Sequence, residues 1–224
     1  MAEATLSSPD SGSYQYLLNG EPTAITETWS RLQQASGQVI ISSTREAPGI
    51  TIDVTATANA GLVSNCELSW TTATGLSIKA EYILQGTALS VVRRQGDSLA
   101  EHTEIELQEG GPLLLSPLMR IYTGPVIAGL LAAGGQGTVI VPAIGNPDDE
   151  DALLRPRISQ RQARVLEPRV ELNRDGTVAY CRVCEYTGDQ YGAGSRFWLA
   201  EDETLLRYQW QQAPGQLWDV RLKS

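Results

Sequence analysis

Apolar and polar residues alternate along many short stretches of the chain, and this alternation predicts β-strands. In ITIDVTATA, which begins at Ile50, apolar residues take every second position and Thr or Asp stands between them. The same period of two recurs in LVSNCELSW from Leu62 and in LSIKAEYIL from Leu76. Such alternation puts apolar side chains on one face of a sheet and polar side chains on the other. We therefore expect antiparallel strands with one buried face, on which Leu62 and Trp70 both lie.

Glycine spacing supports a meander of such strands. Turn glycines recur about every dozen residues in the first hundred, which is typical of consecutive antiparallel strands. The next strand is expected at 99–107, with Leu99, Ile105 and Leu107 facing inward and His102, Glu104 and Glu106 facing outward. Three more strand patterns, TVAYCRVCEY, RFWLAEDETLLRYQW and QLWDVRL, end the chain. Including a strand at about 164–172, the pattern predicts about ten strands.

One apolar stretch, 111–147, departs from the strand pattern. Its run VIAGLLAA begins after Pro125, a favourable residue in the first turn of a helix, and is followed by Gly134 and Gly135, which favour a helix end. These breaks leave too few consecutive apolar residues for a membrane-spanning helix, which needs about 20. We expect the principal helix within 117–133 and a short strand, GTVIVPAIG, after it. The helix either fills the concave face of the sheet or acts as a lid that contacts a ligand or a membrane.

Together these patterns predict an all-β fold with one main helix. The expected architecture is a strongly curved antiparallel sheet, a half-barrel or β-roll, wrapped around a central helical insertion at about 112–135. Residues 1–11 are small and polar, and we expect them to form a flexible tail. Residues 12–224 are expected to form a single β-rich domain, since all-β folds of this length are often single domains.

Charge and cysteine content limit the possible partners and compartments. The formal net charge is −9 and the sequence pI is near 4.7, which argues against nucleic acid as a partner. The N-terminus lacks the basic and apolar regions of a signal peptide. The chain has three cysteines, an odd number that fits a reducing compartment. These features predict a cytoplasmic protein.

Two groups of residues raise the possibility of metal or acid–base chemistry. Cys181 and Cys184 are three residues apart, but such residues point to opposite faces of a strand, and a structural zinc site needs four ligands. His102, the one histidine, has Glu104 nearby and could act as a general base, but an outward-facing histidine is more often solvated. We therefore predict no catalytic residues, no metal and no cofactor.

An acidic run at 148–151 precedes five arginines between Arg155 and Arg169. One interpretation is an exposed loop that leads into the strand at about 164–172, with the arginines solvated and partly neutralised by the acidic run. The alternative is that these guanidinium groups bind an anionic head group or a carboxylate. The sequence leaves both interpretations open.

Aromatic residues provide the candidate ligand-binding surface. Five of them could line an apolar cavity with their polar tips directed at a ligand, and these are Trp70, Tyr82, Trp198, Tyr208 and Trp210. The alternative is that they fill the core of a protein that has a single Phe.

The central VIVPAIG run, the segment FWLAEDETLLRYQW and the final WDVRL resemble lipoprotein-localisation factors and related glycolipid-binding β-roll proteins. The resemblance implies a curved sheet around a helix with an apolar cavity between them. In that cavity Val126, Leu130 and Leu131 of the helix would form a lid over the aromatic walls. The chain differs from the localisation factors in having no recognisable export signal, which argues against a periplasmic shuttle.

Three functions follow from this resemblance and the residues. The first is non-enzymatic binding of an apolar or lipid-like molecule, with transient membrane contact. The second is a cofactor-free enzyme of cyclase or isomerase type, in which Arg182 or Tyr186 orients the substrate. The third is a structural or partner-binding module with a filled core.

Overall fold

The computed structural model describes residues 10–108, 110–147, 149–174 and 177–223. Within them, fifteen strands form one large curved sheet accompanied by one α-helix, which confirms the predicted fold class. The predicted tail at 1–11 lies mostly outside the described residues, and the first strand already begins at Ser11. The strands are β1 (Ser11–Leu18), β2 (Glu21–Gln33), β3 (Val39–Ala47), β4 (Ile50–Asn59), β5 (Leu62–Thr72), β6 (Ser77–Gln85), β7 (Ala88–Gln95), β8 (Glu101–Glu106), β9 (Leu113–Leu115), β10 (Gln136–Pro142), β11 (Pro156–Arg174), β12 (Thr177–Thr187), β13 (Arg196–Leu199), β14 (Leu205–Ala213) and β15 (Gln216–Lys223).

The strands follow a simple order in space. The order across the sheet is β8-β7-β6-β5-β4-β3-β2-β1-β15-β14-β13-β12-β11-β10-β9, so the first and last strands of the chain pair in the middle. All neighbours are antiparallel except β9 and β10, which are parallel because the helix connects them. The edge strand β8 is short and carries three glutamates, which discourage pairing with another sheet.

The alternation predicted from the sequence is confirmed in the central strands. Ile52, Val54 and Ala56 of β4 are buried, while the residues between them face outward. Two residues that the sequence predicted to face inward, Leu62 and Leu99, are exposed instead. Leu62 is 40% exposed because a β-bulge near the start of β5 shifts the alternation. Leu99 is 93% exposed because it precedes β8 and does not belong to a strand.

The segment that the sequence assigned to an exposed loop is mostly strand. β11 begins at Pro156 and runs for 19 residues, so four of the five arginines after the acidic run lie on a strand paired with β10 and β12. Arg155 alone precedes β11. The sequence did not predict the first part of this strand, because an arginine at every few positions obscures the alternation of apolar and polar residues. Of the acidic run, Asp148 lies outside the described residues.

The helix lies within the predicted range. A 3-10 turn, Arg120–Tyr122, leads directly into α1, Thr123–Ala132, so the helix begins two residues before Pro125. Gly134 and Gly135 end it with positive φ angles, and the Gly135 N–H donates to the Leu130 carbonyl at 2.8 Å. In the part of the chain that the structure describes, no helix is long and apolar enough to cross a membrane.

The segment between β10 and β11 crosses the open side of the roll. The Tyr82 hydroxyl on β6 donates to the Leu154 carbonyl at 2.6 Å, and Arg93 Nε on β7 donates to the Leu153 carbonyl at 2.8 Å. Both leucines are buried. These contacts fasten the second half of the sheet to the first half, so that the sheet surrounds a continuous core.

Candidate functional site

A small cavity opens among side chains that include four arginines and two tyrosines. Its volume is about 60 Å³. It lies where the end of β3, the turn before α1, the end of β10, the start of β11 and the turn after β12 meet. We name it the Arg–Tyr pocket after the six residues that give it its chemistry, which are Arg45, Arg120, Arg157, Arg161, Tyr186 and Tyr191. The rest of its wall includes Leu118, Val141 and Ile144.

Arg45 is held from behind by a buried carboxylate. Glu27 on β2 has no exposed surface, and its Oε2 accepts hydrogen bonds from Arg45 Nε at 3.0 Å and Nη2 at 2.7 Å. The Tyr16 hydroxyl donates to the same oxygen at 2.6 Å, and the Arg120 backbone N–H donates to Oε1 at 2.6 Å. This carboxylate therefore fixes Arg45 and the start of the 3-10 turn together. With four donors, Glu27 is fully used by the protein itself.

Arg120 has a different environment, because tyrosines surround it. Its Nη1 donates to the Tyr191 hydroxyl at 2.8 Å and its Nε to the Tyr16 hydroxyl at 3.3 Å. Its guanidinium lies over the ring of Tyr208, 4.9 Å from the ring centroid. No carboxylate among the described residues forms an ion pair with the Arg120 side chain. Its direct side-chain contacts are aromatic faces and tyrosine hydroxyls, while the Glu27 carboxylate interacts with it electrostatically without forming an ion pair.

Arg161 is the most buried arginine of the pocket, at 3% exposure. Its Nη1 donates to the Tyr186 hydroxyl at 2.8 Å and its Nη2 to Asp189 Oδ2 at 3.1 Å. Arg157 donates to the same Asp189 oxygen. The Arg161 Nε is buried and has no hydrogen-bond acceptor among the described residues. A buried donor without a partner is costly, so this atom marks a place where an acceptor is needed.

Three buried tyrosines of this region, Tyr16, Tyr186 and Tyr208, stay protonated. Burial raises the pKa of Tyr16 and Tyr186 well above the ordinary value, and the nearby arginines, which lower it, do not reverse the effect. Burial raises the pKa of Tyr208 in the same way, although Arg120 lies beside it. The hydroxyls are therefore neutral groups that can donate as well as accept. Within the described chain, the hydroxyl hydrogens of Tyr186 and Tyr191 have no protein acceptor.

An aromatic cluster behind the pocket holds these hydroxyls in place. The ring of Tyr191 packs edge-on against Phe197 at 5.4 Å and against Trp210 at 5.5 Å between centroids. Phe197 stacks on Tyr208 across β13 and β14, with centroids 5.4 Å apart. Such packing leaves the rings little freedom. The donors of the pocket are thus pre-positioned by the apolar core.

The sequence-predicted ligand residues are not brought together around a cavity. Four of them are buried in the packed core, and these are Trp70, Tyr82, Val126 and Leu130. Leu131 is half-buried on α1. Between the helix and the sheet, the described residues leave a crevice of only about 10 Å³, lined by Val126, Leu114 and neighbouring side chains. The described residues therefore pack closely between α1 and the sheet, and a ligand cavity at this place stays a prediction.

The last three predicted wall residues have different locations. Trp198 does not face the interior: its neighbour Phe197 does, and Trp198 lies on the opposite face of β13, against Arg207 at 5.0 Å. Adjacent residues of a strand point to opposite faces, so the structure does not bring the half-buried Trp198 together with the buried Phe197. Tyr208 lies beside Arg120 at the back of the Arg–Tyr pocket, and Trp210 packs on Tyr191.

The residues considered for metal or acid–base chemistry are dispersed. Cys181 and Cys184 are both buried, free thiols, and Cys181 donates weakly to the Val170 carbonyl. His102 is exposed on β8, paired across the sheet with Val92. Within residues 10–108, 110–147, 149–174 and 177–223, no group of three or more His, Cys, Asp or Glu residues is arranged to hold a metal ion.

Sequence reasoning missed Arg45, Arg120, Glu27 and Asp189. Arg45 could have been found from its own strand: Ile41, Ser43 and Arg45 alternate, and an arginine at an inward position needs a buried partner. The arginine-rich segment gave a partial indication. Arg157 and Arg161 line the Arg–Tyr pocket, whereas Arg155 and Arg164 form surface ion pairs with Glu101 and Glu185.

No known protein-family profile matches this chain, and no curated protein matches its sequence. Among solved structures, the chain is similar to a protein described as "Beta-barrel-like Protein of Domain of Unknown Function DUF1849 from Brucella abortus". The TM-score is 0.54 at 8% sequence identity, over 95% of this chain and 94% of the other. At that identity the similarity concerns the fold alone. It supports the barrel-like or β-roll architecture.

Proposed function

We propose that this protein binds an amphiphilic organic acid and does not transform it. The observation that carries the proposal is the buried Arg161 Nε with no acceptor, in a pocket whose charged wall residues are all arginines. Guanidinium groups are the usual partners of carboxylates and phosphates in proteins. The ligand head group would accept from Arg161, Arg120 and the Tyr186 hydroxyl.

Apolar side chains at the same pocket support a ligand with an apolar part. Leu118, Val141 and Ile144 line the wall beside the arginines. The cavity of about 60 Å³ has room for a head group, since one water takes about 30 Å³ in the liquid. A longer apolar chain would extend along Ile144, which is half-buried. In this proposal the apolar part of the ligand lies at the rim of the pocket, and the packed space beneath α1 is undisturbed.

The pocket chemistry favours binding over catalysis. The carboxylates that pair with its arginines, Glu27 and Asp189, lie outside the pocket wall and are occupied, so neither is available as a base. Tyr186 lines the pocket as the enzyme hypothesis required, but its pKa is raised by burial. Arg182, the other residue of that hypothesis, pairs with Glu203 and is absent from the pocket wall.

Isothermal titration with octanoate and with octanol tests the proposal, because the two ligands share a chain length and differ in charge. We expect saturable binding of octanoate by the wild-type protein and no measurable binding of octanol. Arg161→Gln should weaken octanoate binding by about tenfold or more, since a charge-assisted hydrogen bond contributes roughly 1.5–3 kcal/mol.

The matched control is Arg164→Gln on the same strand. Arg164 is exposed, outside the pocket, and paired with Glu185. Its substitution should leave octanoate binding unchanged. Equal affinity of the wild-type protein for octanoate and octanol would show that charge recognition is absent. Binding of octanoate that survives Arg161→Gln and Arg120→Gln unaltered would place the site elsewhere.

A further inference from the structure

The positive charges of the Arg–Tyr pocket exceed the negative charges around it by two. Four arginines line the pocket, and among the described residues their ion-pair partners are Glu27 and Asp189. Glu27 pairs with Arg45, while Asp189 is shared by Arg157 and Arg161. Arg120 has no carboxylate partner among the described residues. Two guanidinium charges are therefore left without a counter-charge from the described protein.

The neighbouring tyrosines do not supply that counter-charge. Burial raises the pKa of Tyr16, Tyr186 and Tyr208, so these phenols are neutral at physiological pH. Their hydroxyls and rings can only solvate the guanidinium groups. Leaving a buried charge without a counter-ion is energetically unfavourable, and a bound anion would relieve this cost.

We infer that the ligand's head group is a dianion, namely a phosphate monoester. This inference rests on the proposed function and names the chemical class of the acid. A phosphate monoester carries close to two negative charges above its second pKa of about 6. It also offers three terminal oxygens as acceptors. The Arg161 and Arg120 guanidinium groups and the two tyrosine hydroxyls line the pocket and supply donors for them.

A comparison of octyl phosphate with octyl sulfate tests the charge directly. The two have the same tetrahedral head and the same chain, but the sulfate ester is a monoanion at all relevant pH values. At pH 7.5 we expect octyl phosphate to bind at least about tenfold more tightly, because one more charge meets an unpaired guanidinium. At pH 5 the phosphate ester is mostly a monoanion, and the ratio of the two affinities should approach one.

Two variants test whether the arginines of the pocket cause the preference for phosphate over sulfate. Arg120→Gln removes one of the excess charges and should reduce the preference for phosphate over sulfate at pH 7.5. Arg157→Gln does the same at a partly exposed position, where the side chain is 43% exposed, and so provides a second test if the first variant fails to fold. Arg164→Gln should retain the wild-type preference.

Each outcome has one meaning. Equal binding of the two esters at pH 7.5 overturns the dianion inference and leaves the proposed function intact. No binding of either ester, nor of octanoate, overturns both. Inorganic phosphate is the third ligand: if it binds as tightly as octyl phosphate, the head group alone is the ligand and the amphiphilic proposal is wrong. The expected result is that inorganic phosphate binds more weakly than octyl phosphate.

Discussion

Gly124 and Glu203 are in direct backbone contact: a Cβ atom at residue 124 would lie 1.8 Å from the Glu203 carbonyl oxygen. Gly124 is in the first turn of α1, and Glu203 is in the turn between β13 and β14. Glu203 itself has a φ of 66°, an unusual backbone conformation for a residue other than glycine. This contact fixes the start of the helix, and with it the adjoining 3-10 turn that carries Arg120.

We expect Gly124→Ala to destabilise the protein strongly. The added methyl group meets backbone atoms, which cannot move aside as a flexible side chain can. The loss should be about 3 kcal/mol or more, at the upper end of overpacking effects. Denaturant unfolding followed by circular dichroism measures it.

Gly129→Ala is the matched control in the same helix. Its Cβ atom would meet only the side-chain ends of Leu114 and Leu62, at 3.1–3.3 Å. Alanine favours a helix interior over glycine by about 0.5–1 kcal/mol, so this substitution should be close to neutral. A Gly124→Ala protein as stable as Gly129→Ala would show that the helix start is not fixed by Glu203.

Leu130 and Leu131 distinguish a core helix from a lid. Leu130 has no exposed surface, whereas its neighbour Leu131 is half-buried. Leu130→Ala should cost about 2–5 kcal/mol of unfolding free energy, the range for removing a buried leucine, and Leu131→Ala should cost clearly less. Thermal and denaturant unfolding give both values. A Leu130→Ala cost below about 1 kcal/mol would support a helix that lies loosely on the sheet.

Glu27→Gln tests the buried ion pair that supports the pocket. The substitution keeps the shape but leaves Arg45 without its carboxylate, and breaking a buried pair from one side typically costs about 3–5 kcal/mol. Glu67→Gln, at an exposed position on β5, is the control and should change stability little. Similar stabilities of the two variants would show that Arg45 does not depend on Glu27.

Asp219 should make stability depend on acidic pH. Burial alone would raise the pKa of this carboxyl, but hydrogen bonds from Arg207 and Arg221 outweigh it and hold the pKa below its usual range. A depressed folded-state pKa stabilises the fold above the unfolded-state value of about 3.9, and this contribution is lost as pH falls through the folded-state pKa.

Asp219→Asn should therefore be about 1.5–3 kcal/mol less stable than wild type at pH 7, as for hydrogen bonds to charged groups. The difference should shrink progressively below about pH 4. Urea unfolding across this pH range checks it, with the exposed Asp97→Asn as the control. A difference between Asp219→Asn and wild type that is constant with pH would rule out this titration.

The sheet could be predicted from the sequence because strand alternation is local. Each inward position of β4 or β6 is decided by its immediate neighbours, and a single long meander preserves this pattern. The exposure of Leu62 could not be predicted, because a β-bulge depends on the pairing with the partner strand. The start of β11 was not predicted, because its arginines give it the composition of an exposed loop.

The pocket could not be predicted in the same way because its parts are distant in sequence. Glu27, Arg120 and Arg161 come from three elements that meet only when the roll closes. The aromatic residues show a related limit of the sequence: it gives the face of a strand on which a side chain lies, but the space left between facing side chains depends on how the whole core packs. Trp70 and Tyr82 are inward as expected, and other side chains fill the space in front of them.

The most direct measurement of the central claim is a crystal structure with 8-bromooctanoate, whose bromine can be located by anomalous scattering. The expected result is a carboxylate within hydrogen-bond distance of the Arg161 and Arg120 guanidinium groups, with bromine near Ile144 at the rim. Soaked Arg161→Gln crystals should lack this density. Bromine density found only beneath α1, or only on the outer face of the sheet with an unoccupied pocket, would contradict the claim.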